Sequence, residues 1–164
     1  GLCEKLKKSQ PEIVLSTDII VGFPNETDEE FQATIDLLDQ AQFDSIFSYV
    51  FSKRNNTKAA NMEDFLDAKV KSQRLRLLQQ HQLKIQGGIR APLVGKTFRV
   101  LVEGHGNMKG IKKWKGRTNC NRIVHFLPET EISDYQWHWV DLKIDSATSL
   151  SCQGSLVKDW GKLR

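Results

Sequence analysis

The chain has 164 residues, 39% of them hydrophobic, and carries 24 Lys plus Arg against 20 Asp plus Glu, a formal charge of +4. That is enough apolar material to bury a core in one or two domains, and it describes a soluble globular protein. No apolar run approaches the roughly 18 residues of a membrane span, and the opening Gly-Leu-Cys-Glu-Lys lacks a signal-peptide h-region, so a cytoplasmic protein with no membrane partner is expected.

Leu2 to Ser9 reads as the end of a helix, with Leu2 and Leu6 four apart among lysines and Pro11 as its stop. A strand follows over about Val14 to Val21. Its β-branched run Ile19-Ile20-Val21 suits a strand buried on both faces. Thr27 and Glu30 have capping-box spacing, and a helix from about Asp28 to Gln42 carries Phe31, Ile35, Leu38 and Ala41 on one face. Phe43 to Ser52 reads as a second strand, which makes a βαβ unit with parallel pairing. A long helix is predicted over about Asn61 to Gln86, ended by Gly87 and Gly88. Two strands and their helices cannot close a barrel or cover both faces of a sheet, so this first domain, residues 1–93, reads as incomplete at its N-terminus.

From Gly95 the period changes to two, with Phe98, Val100 and Val102 on one face and Thr97, Arg99, Leu101 and Glu103 on the other. Further strands are predicted at Arg122 to Phe126, Trp139 to Ile144 and Leu156 to Lys158, with glycines between them. Four or more short strands in this space imply a small antiparallel barrel over residues 94–164. The basic charge lives here. Residues 94–164 hold twelve Lys plus Arg against seven Asp plus Glu, while residues 1–93 hold twelve against thirteen. Lys109, Lys112, Lys113, Lys115, Arg117 and Arg122 follow one another with Trp114 interleaved and no acid between them. The run reads as a loop that is either merely solvated or a contact for a polyanion.

The chemistry-bearing candidates fall in three places. The turn after the first strand, Gly22-Phe23-Pro24-Asn25-Glu26, lies where parallel sheets place ligands, although a plain strand-ending turn and a helix-start acid at Glu26 are the alternative reading. Asp18, inside the strand, is either paired in an interior near a site or placed at a wet edge. In the basic run Lys112, Lys115, Arg117 and Arg122 are candidate phosphate contacts, with Thr118 and Asn121 holding backbone or loop; Arg122 could instead pair within the barrel. Trp137 and Trp139 face away from Val140, Leu142 and Ile144 and are open to stacking on bases or to packing. The histidines, His81, His105, His125 and His138, have no metal spacing, and Cys3, Cys120 and Cys152 form neither a disulfide framework nor a cluster motif.

STDIIVGFPNETDEEFQATIDLL followed by FDSIFSYVFSKRNNTKAA resembles the later part of the radical SAM domain of methylthiotransferases, whose pattern there is roughly DIIVGFPGET, FD, YSPRPGTPAA. GKTFRVLVEG, KGRTNCNRIVHF and SLSCQGSLV are similar, in order, to segments of the TRAM domain that ends these enzymes. The GRT-x-x-NR-x-V-x-F stretch resembles the MiaB type, which modifies tRNA. The likeness covers about Val14 to Val157.

The resemblance implies an incomplete radical SAM β/α barrel followed by an OB-like TRAM barrel, α/β plus all-β, as the C-terminal part of a longer enzyme that is monomeric at full length. It implies S-adenosyl-L-methionine and two 4Fe-4S clusters in the whole enzyme, methylthiolation of N6-isopentenyladenosine beside the anticodon, and a tRNA anticodon arm as partner alongside the missing N-terminal domains. It implies cofactor contacts from Asp18, Gly22, Phe23, Pro24, Glu26, Ser52 and Arg54, with Gly22 letting a ligand approach the backbone. A threonylcarbamoyladenosine methylthiotransferase and a standalone RNA-binding module are the alternatives. The sequence departs from the pattern in three respects. The CxxxCxxC motif is absent, so the cluster ligands are not in this chain and the fragment alone is expected to be inactive. Asn25 stands where the family has Gly, and Lys53, Asn55, Asn56 and Lys58 replace the Pro-Gly loop.

Overall fold

Ile19, Ile20 and Val21 lie in strand β1 (Ser16–Val21), which pairs in parallel with β2 (Ser45–Val50) in the register Asp18 with Phe47 and Ile20 with Tyr49. The computed structural model describes residues 1–10, 12–108, 110–128 and 134–162. Pro11 and Lys109, which the sequence offers as a helix stop and as part of the basic run, lie outside the described residues. By their internal contacts the residues divide into two compact units, Gly1–Gln86 and Gly87–Arg164.

In the first unit helix α1 (Leu2–Ser9) is tied down by Lys7, whose ammonium donates to the carbonyls of Ala41 at 2.7 Å and Gln42 at 3.1 Å. Those carbonyls end helix α2 (Asp28–Ala41), where a cation complements the helix dipole. At the other end of α2 the predicted capping box forms in both directions between Thr27 and Glu30. The buried apolar residues of this unit are Val21, Ile35, Leu38, Ala41, Phe43, Leu78 and Ile85.

Two expectations for this unit change. β1 is not covered on both faces. Ser16, Asp18 and Ile20 are exposed while Thr17, Ile19 and Val21 turn inward, because a two-stranded sheet has only one side to pack. Ile20, Phe47 and Tyr49 lie bare on the other side at 55, 58 and 55% exposure, and Asp18 shares that wet face. The long helix is also shifted. Residues Lys58–Asn61 form a 3-10 turn, and helix α3 runs over Ala68–Arg90, beyond Gly87 and Gly88. Asp67 sets its start, its carboxylate accepting from the Lys69 N–H and its carbonyl from the Lys71 N–H. Each glycine costs a helix about 1 kcal/mol, which is too little to stop one. Buried amides anchor α3, with Gln82 donating to the Phe43 carbonyl and Gln86 to that of Asp44.

The second unit is a closed barrel of five strands in the order β3 (Thr97–Met108), β4 (Ile111–Thr118), β5 (Ile123–Phe126), β7 (Cys152–Lys162), β6 (His138–Ala147). It is not wholly antiparallel, since β5 and β7 pair in parallel through Val124 with Cys152 and His125 with Gln153. The core comprises Leu93, Val100, Val102, Trp114, Val124, Phe126, Tyr135, Val140, Leu142, Ile144 and Cys152. Phe98, on the predicted inner face, packs against it. Residues Lys112, Lys113, Lys115 and Arg117 of the basic run lie in a strand rather than a loop. β4 folds back on β3 through a turn at Gly110, whose N–H donates to Asn107 Oδ1. Consecutive lysines hide the alternation that places Trp114 inside and its neighbours outside.

Candidate functional site

The turn after β1 is built by buried charge. Gly22 has φ +67 and Asn25 φ +64, two left-handed residues in one tight bend. A Cβ on Gly22 would meet Lys71 Cγ at 2.5 Å, so the side chain that crosses this backbone is the protein's own Lys71, which also pairs with Asp64. The Gly22 N–H donates to Glu26 Oε2 at 2.8 Å. The same oxygen accepts from Arg74 at 2.6 Å, and Arg74 further donates to the Glu26 carbonyl and to Asp28. Both ends of the Glu26–Arg74 pair are buried. Burial works against the Arg74 charge, but Asp28 and Glu26 outweigh it and hold its pKa above the usual guanidinium value. Pro24 is buried and Phe23 is partly exposed, edge-on to Phe51 with ring centroids 5.0 Å apart.

Beside this turn a cleft of about 420 Å³ opens at the carboxyl end of β2, lined by Ile20, Tyr49, Val50, Phe51, Ser52, Arg54, Thr57 and Ala59. Of the predicted cofactor residues Ser52 and Arg54 line it. Phe23 touches its wall through Phe51, and Asp18, Gly22, Pro24 and Glu26 do not border it. Among the described residues no group of three or more His, Cys, Asp or Glu side chains is arranged to hold a metal.

On the barrel, strand alternation separates the predicted RNA contacts. Lys113, Lys115 and Arg117 share the outer face of β4, whereas Lys112 has the parity of core Trp114 and is exposed at the hairpin end. The run has no acid in sequence, but β3 brings one across. Glu103 pairs with Arg117 at 3.0 Å and with Lys115 at 3.8 Å. Thr118 and Asn121 build the β4–β5 turn, the Thr118 hydroxyl accepting from the Arg122 N–H and Asn121 Oδ1 from Arg117. Arg122 lines a small apolar crevice with Thr118, Phe98 and Val124. Trp137 precedes β6 at φ +65 and is 45% exposed, and Trp139 is half-buried.

Sequence reasoning missed His125 and gave Lys113 no role. His125 is buried on the outer face of β5, in register with Lys115 on β4 and Gln153 on β7. Burial first, then the charges of Lys115 and Lys113, hold its pKa below the usual imidazole value of 6.5. The signal available in sequence was parity alone, because His125 sits between the inward pair Val124 and Phe126.

Comparison with known proteins adds a second line. The chain is 38% identical over 158 residues to tRNA-2-methylthio-N(6)-dimethylallyladenosine synthase of Acetivibrio thermocellus, which covers 96% of this chain and 32% of that protein. It is 39% identical over 154 residues to the protein of the same name from Legionella pneumophila strain Corby, covering 94% and 34%. For the Solibacter usitatus protein of that name the figures are 41% over 140 residues, 85% and 31%. The chain is homologous to these synthases. It spans about a third of the length of the relatives it matches. No family model matches it.

Proposed function

We propose that the chain works as the C-terminal portion of a tRNA-2-methylthio-N(6)-dimethylallyladenosine synthase, the first unit being the later part of a radical SAM barrel and the second a TRAM-type RNA-binding barrel. The observation that carries this reading is the 38–41% identity to proteins of that name across 85–96% of the chain. The uncovered sheet face with Ile20, Phe47 and Tyr49 supports it, because such a face is what remains when a barrel is cut through.

The cleft residues fit one wall of an S-adenosyl-L-methionine site. Tyr49, Phe51 and Ile20 offer apolar surface for a nucleoside, and Ser52 and Arg54 offer a donor and a cation for the polar tail. Bound there, that cofactor would supply the methyl group of methylthiolation. The Glu26–Arg74 pair keeps the Gly22–Glu26 turn and Phe23 in place at the rim. Iron–sulfur clusters do not fit the cysteines present, since Cys3 lies in α1, Cys120 in the β4–β5 turn and Cys152 in the barrel core, so no step is assigned to a cluster in this chain. Lys115 and Arg117, which share one face, would hold phosphates of the anticodon arm, with Lys112 reaching from the hairpin end, Arg122 adding charge and Thr118 and Asn121 shaping the turn, and electrostatics would supply most of the affinity. The cytoplasm, where tRNA is modified, is the matching location, and the full-length enzyme acts as a monomer.

The test is nucleoside mass spectrometry of tRNA from cells lacking the gene. Loss of 2-methylthio-N6-isopentenyladenosine with accumulation of N6-isopentenyladenosine is expected. Accumulation of unmethylthiolated threonylcarbamoyladenosine would transfer the assignment to that substrate, and an unchanged profile would leave only an RNA-binding module.

A further inference from the structure

Lys113 is a lysine out of place. It is 8% exposed, yet among the described residues its ammonium meets no carboxylate, only the neutral side-chain oxygen of Gln153 at 3.0 Å. A cation taken this far from water is normally paired. Next to it His125 is also 8% exposed, and its Nδ1 is buried with no hydrogen-bond partner among the described residues. The imidazole lies against Gly106 of β3, where a Cβ would meet its Cε1 at 2.9 Å, so the absence of a side chain at Gly106 makes room for the ring. Lys115 stands in register with His125 and shares its one acid, Glu103, with Arg117. Strands β3, β4, β5 and β7 thus bring two ammonium groups, an imidazole and an amide to one patch of outer surface. The patch has more positive charge than the protein neutralises, and its polar groups are incompletely satisfied.

We propose that Lys113, Lys115, His125 and Gln153, with the His125 ring seated on Gly106, form a seat for one phosphate group of a bound RNA strand. The assignment rests on the RNA-binding reading and sharpens it. Phosphate supplies what the patch lacks, a compact anion with several acceptor oxygens for lysine and imidazole donors. Lys113 adds a point charge where the sequence pattern alone would have chosen Lys112, which lies on the opposite parity of the strand.

The experiment uses the 164-residue chain, labelled with 15N, and follows the His125 ring resonances while unmodified tRNA or inorganic phosphate is added. Affinity and salt dependence are measured in parallel for wild type, Lys113→Gln and the exposed control Lys143→Gln. With tRNA the His125 ring is expected to shift and its pKa to rise, because a bound anion offsets the neighbouring lysines. Lys113→Gln is expected to bind roughly tenfold more weakly with a salt slope reduced by about one, while Lys143→Gln matches wild type. Inorganic phosphate at millimolar concentration producing the same ring shift would identify the shared chemistry, and a shift with tRNA alone would identify a backbone phosphodiester; both support the seat. If tRNA binds with an unmoved His125 ring and Lys113→Gln binds as wild type, the seat is refuted and the broader RNA reading survives. If wild type binds no tRNA, both fall. Because the ring measurement is made on the unaltered chain, it decides the question even if Lys113→Gln folds poorly.

Discussion

Replacing Arg74 with Met tests whether buried charge holds the turn after β1. The substitution keeps most of the aliphatic length while removing the guanidinium that bonds the Glu26 carboxylate at 2.6 Å and its carbonyl at 2.9 Å. Breaking a buried pair from one side costs about 3–5 kcal/mol, because the remaining charge keeps its desolvation without its partner. Glu26 retains the Gly22 N–H, which argues for the low end. The Asp28 contact adds little, since that carboxylate is 92% exposed. Stacking of Arg74 over Phe31 at 5.4 Å adds about 0.5 kcal/mol. A loss of about 3 kcal/mol, with a urea slope near 1 kcal/mol/M for a unit of this size, lowers its midpoint by roughly 3 M. The assay separates the units, because all four tryptophans lie between residues 114 and 160 while α1, α2 and most of α3 belong to the first unit. Ellipticity at 222 nm should therefore shift and tryptophan fluorescence should not. Adding Glu26→Gln to Arg74→Met should recover part of the loss. An unmoved 222 nm midpoint, or a fluorescence midpoint that moves as far, would refute the reasoning.

Three further expectations follow from the barrel and α3. His125 has its folded-state pKa lowered, so its contribution to stability is complete above its unfolded value of 6.5 and is lost as pH falls through the folded value. In phosphate-free buffer the barrel's melting temperature should fall between pH 7.5 and 5, and His125→Gln should flatten that dependence. A Cβ at Gly116 would meet the Leu101 carbonyl oxygen at 2.4 Å and Val100 Cγ1 at 2.5 Å, whereas Gly88 in α3 faces open space. Chemical denaturation should show Gly116→Ala destabilising by about 3 kcal/mol and Gly88→Ala stabilising by about 1 kcal/mol. Replacing Lys115 and Arg117 together with Ala should weaken tRNA binding about equally across tRNA sequences and reduce its salt dependence, as read by filter binding at several ionic strengths.

The sequence makes the local signals legible. The Thr27–Glu30 box, the βαβ order and the alternation of Phe98, Val100 and Val102 all depend on residues a few positions apart, and each forms as read. What it hides depends on partners distant in the chain. Glu103 offsets part of the basic stripe from another strand, the parallel β5–β7 pair joins residues far apart, and Lys71 covers Gly22 from α3. The end of α3 is hidden for a different reason, since tertiary bonds from Gln82 and Gln86 outweigh two glycines. In the candidate site the rim was legible as a turn, but the buried Arg74 that fixes it carried no local mark. Strand β4 was unreadable because lysine disfavours strands and consecutive lysines blur the period.

Strand β7 pairs with β6 on one side and β5 on the other, so the barrel has no seam until Cys152–Lys162 is in place. On the ribosome, four strands must therefore wait, with open edges, for the last one to leave the exit tunnel, while the local contacts of the first unit are already available. Folding of this half is governed by the arrival of its final strand, and a nascent chain stalled before residue 152 would expose the edges of β5 and β6 to any other strand nearby.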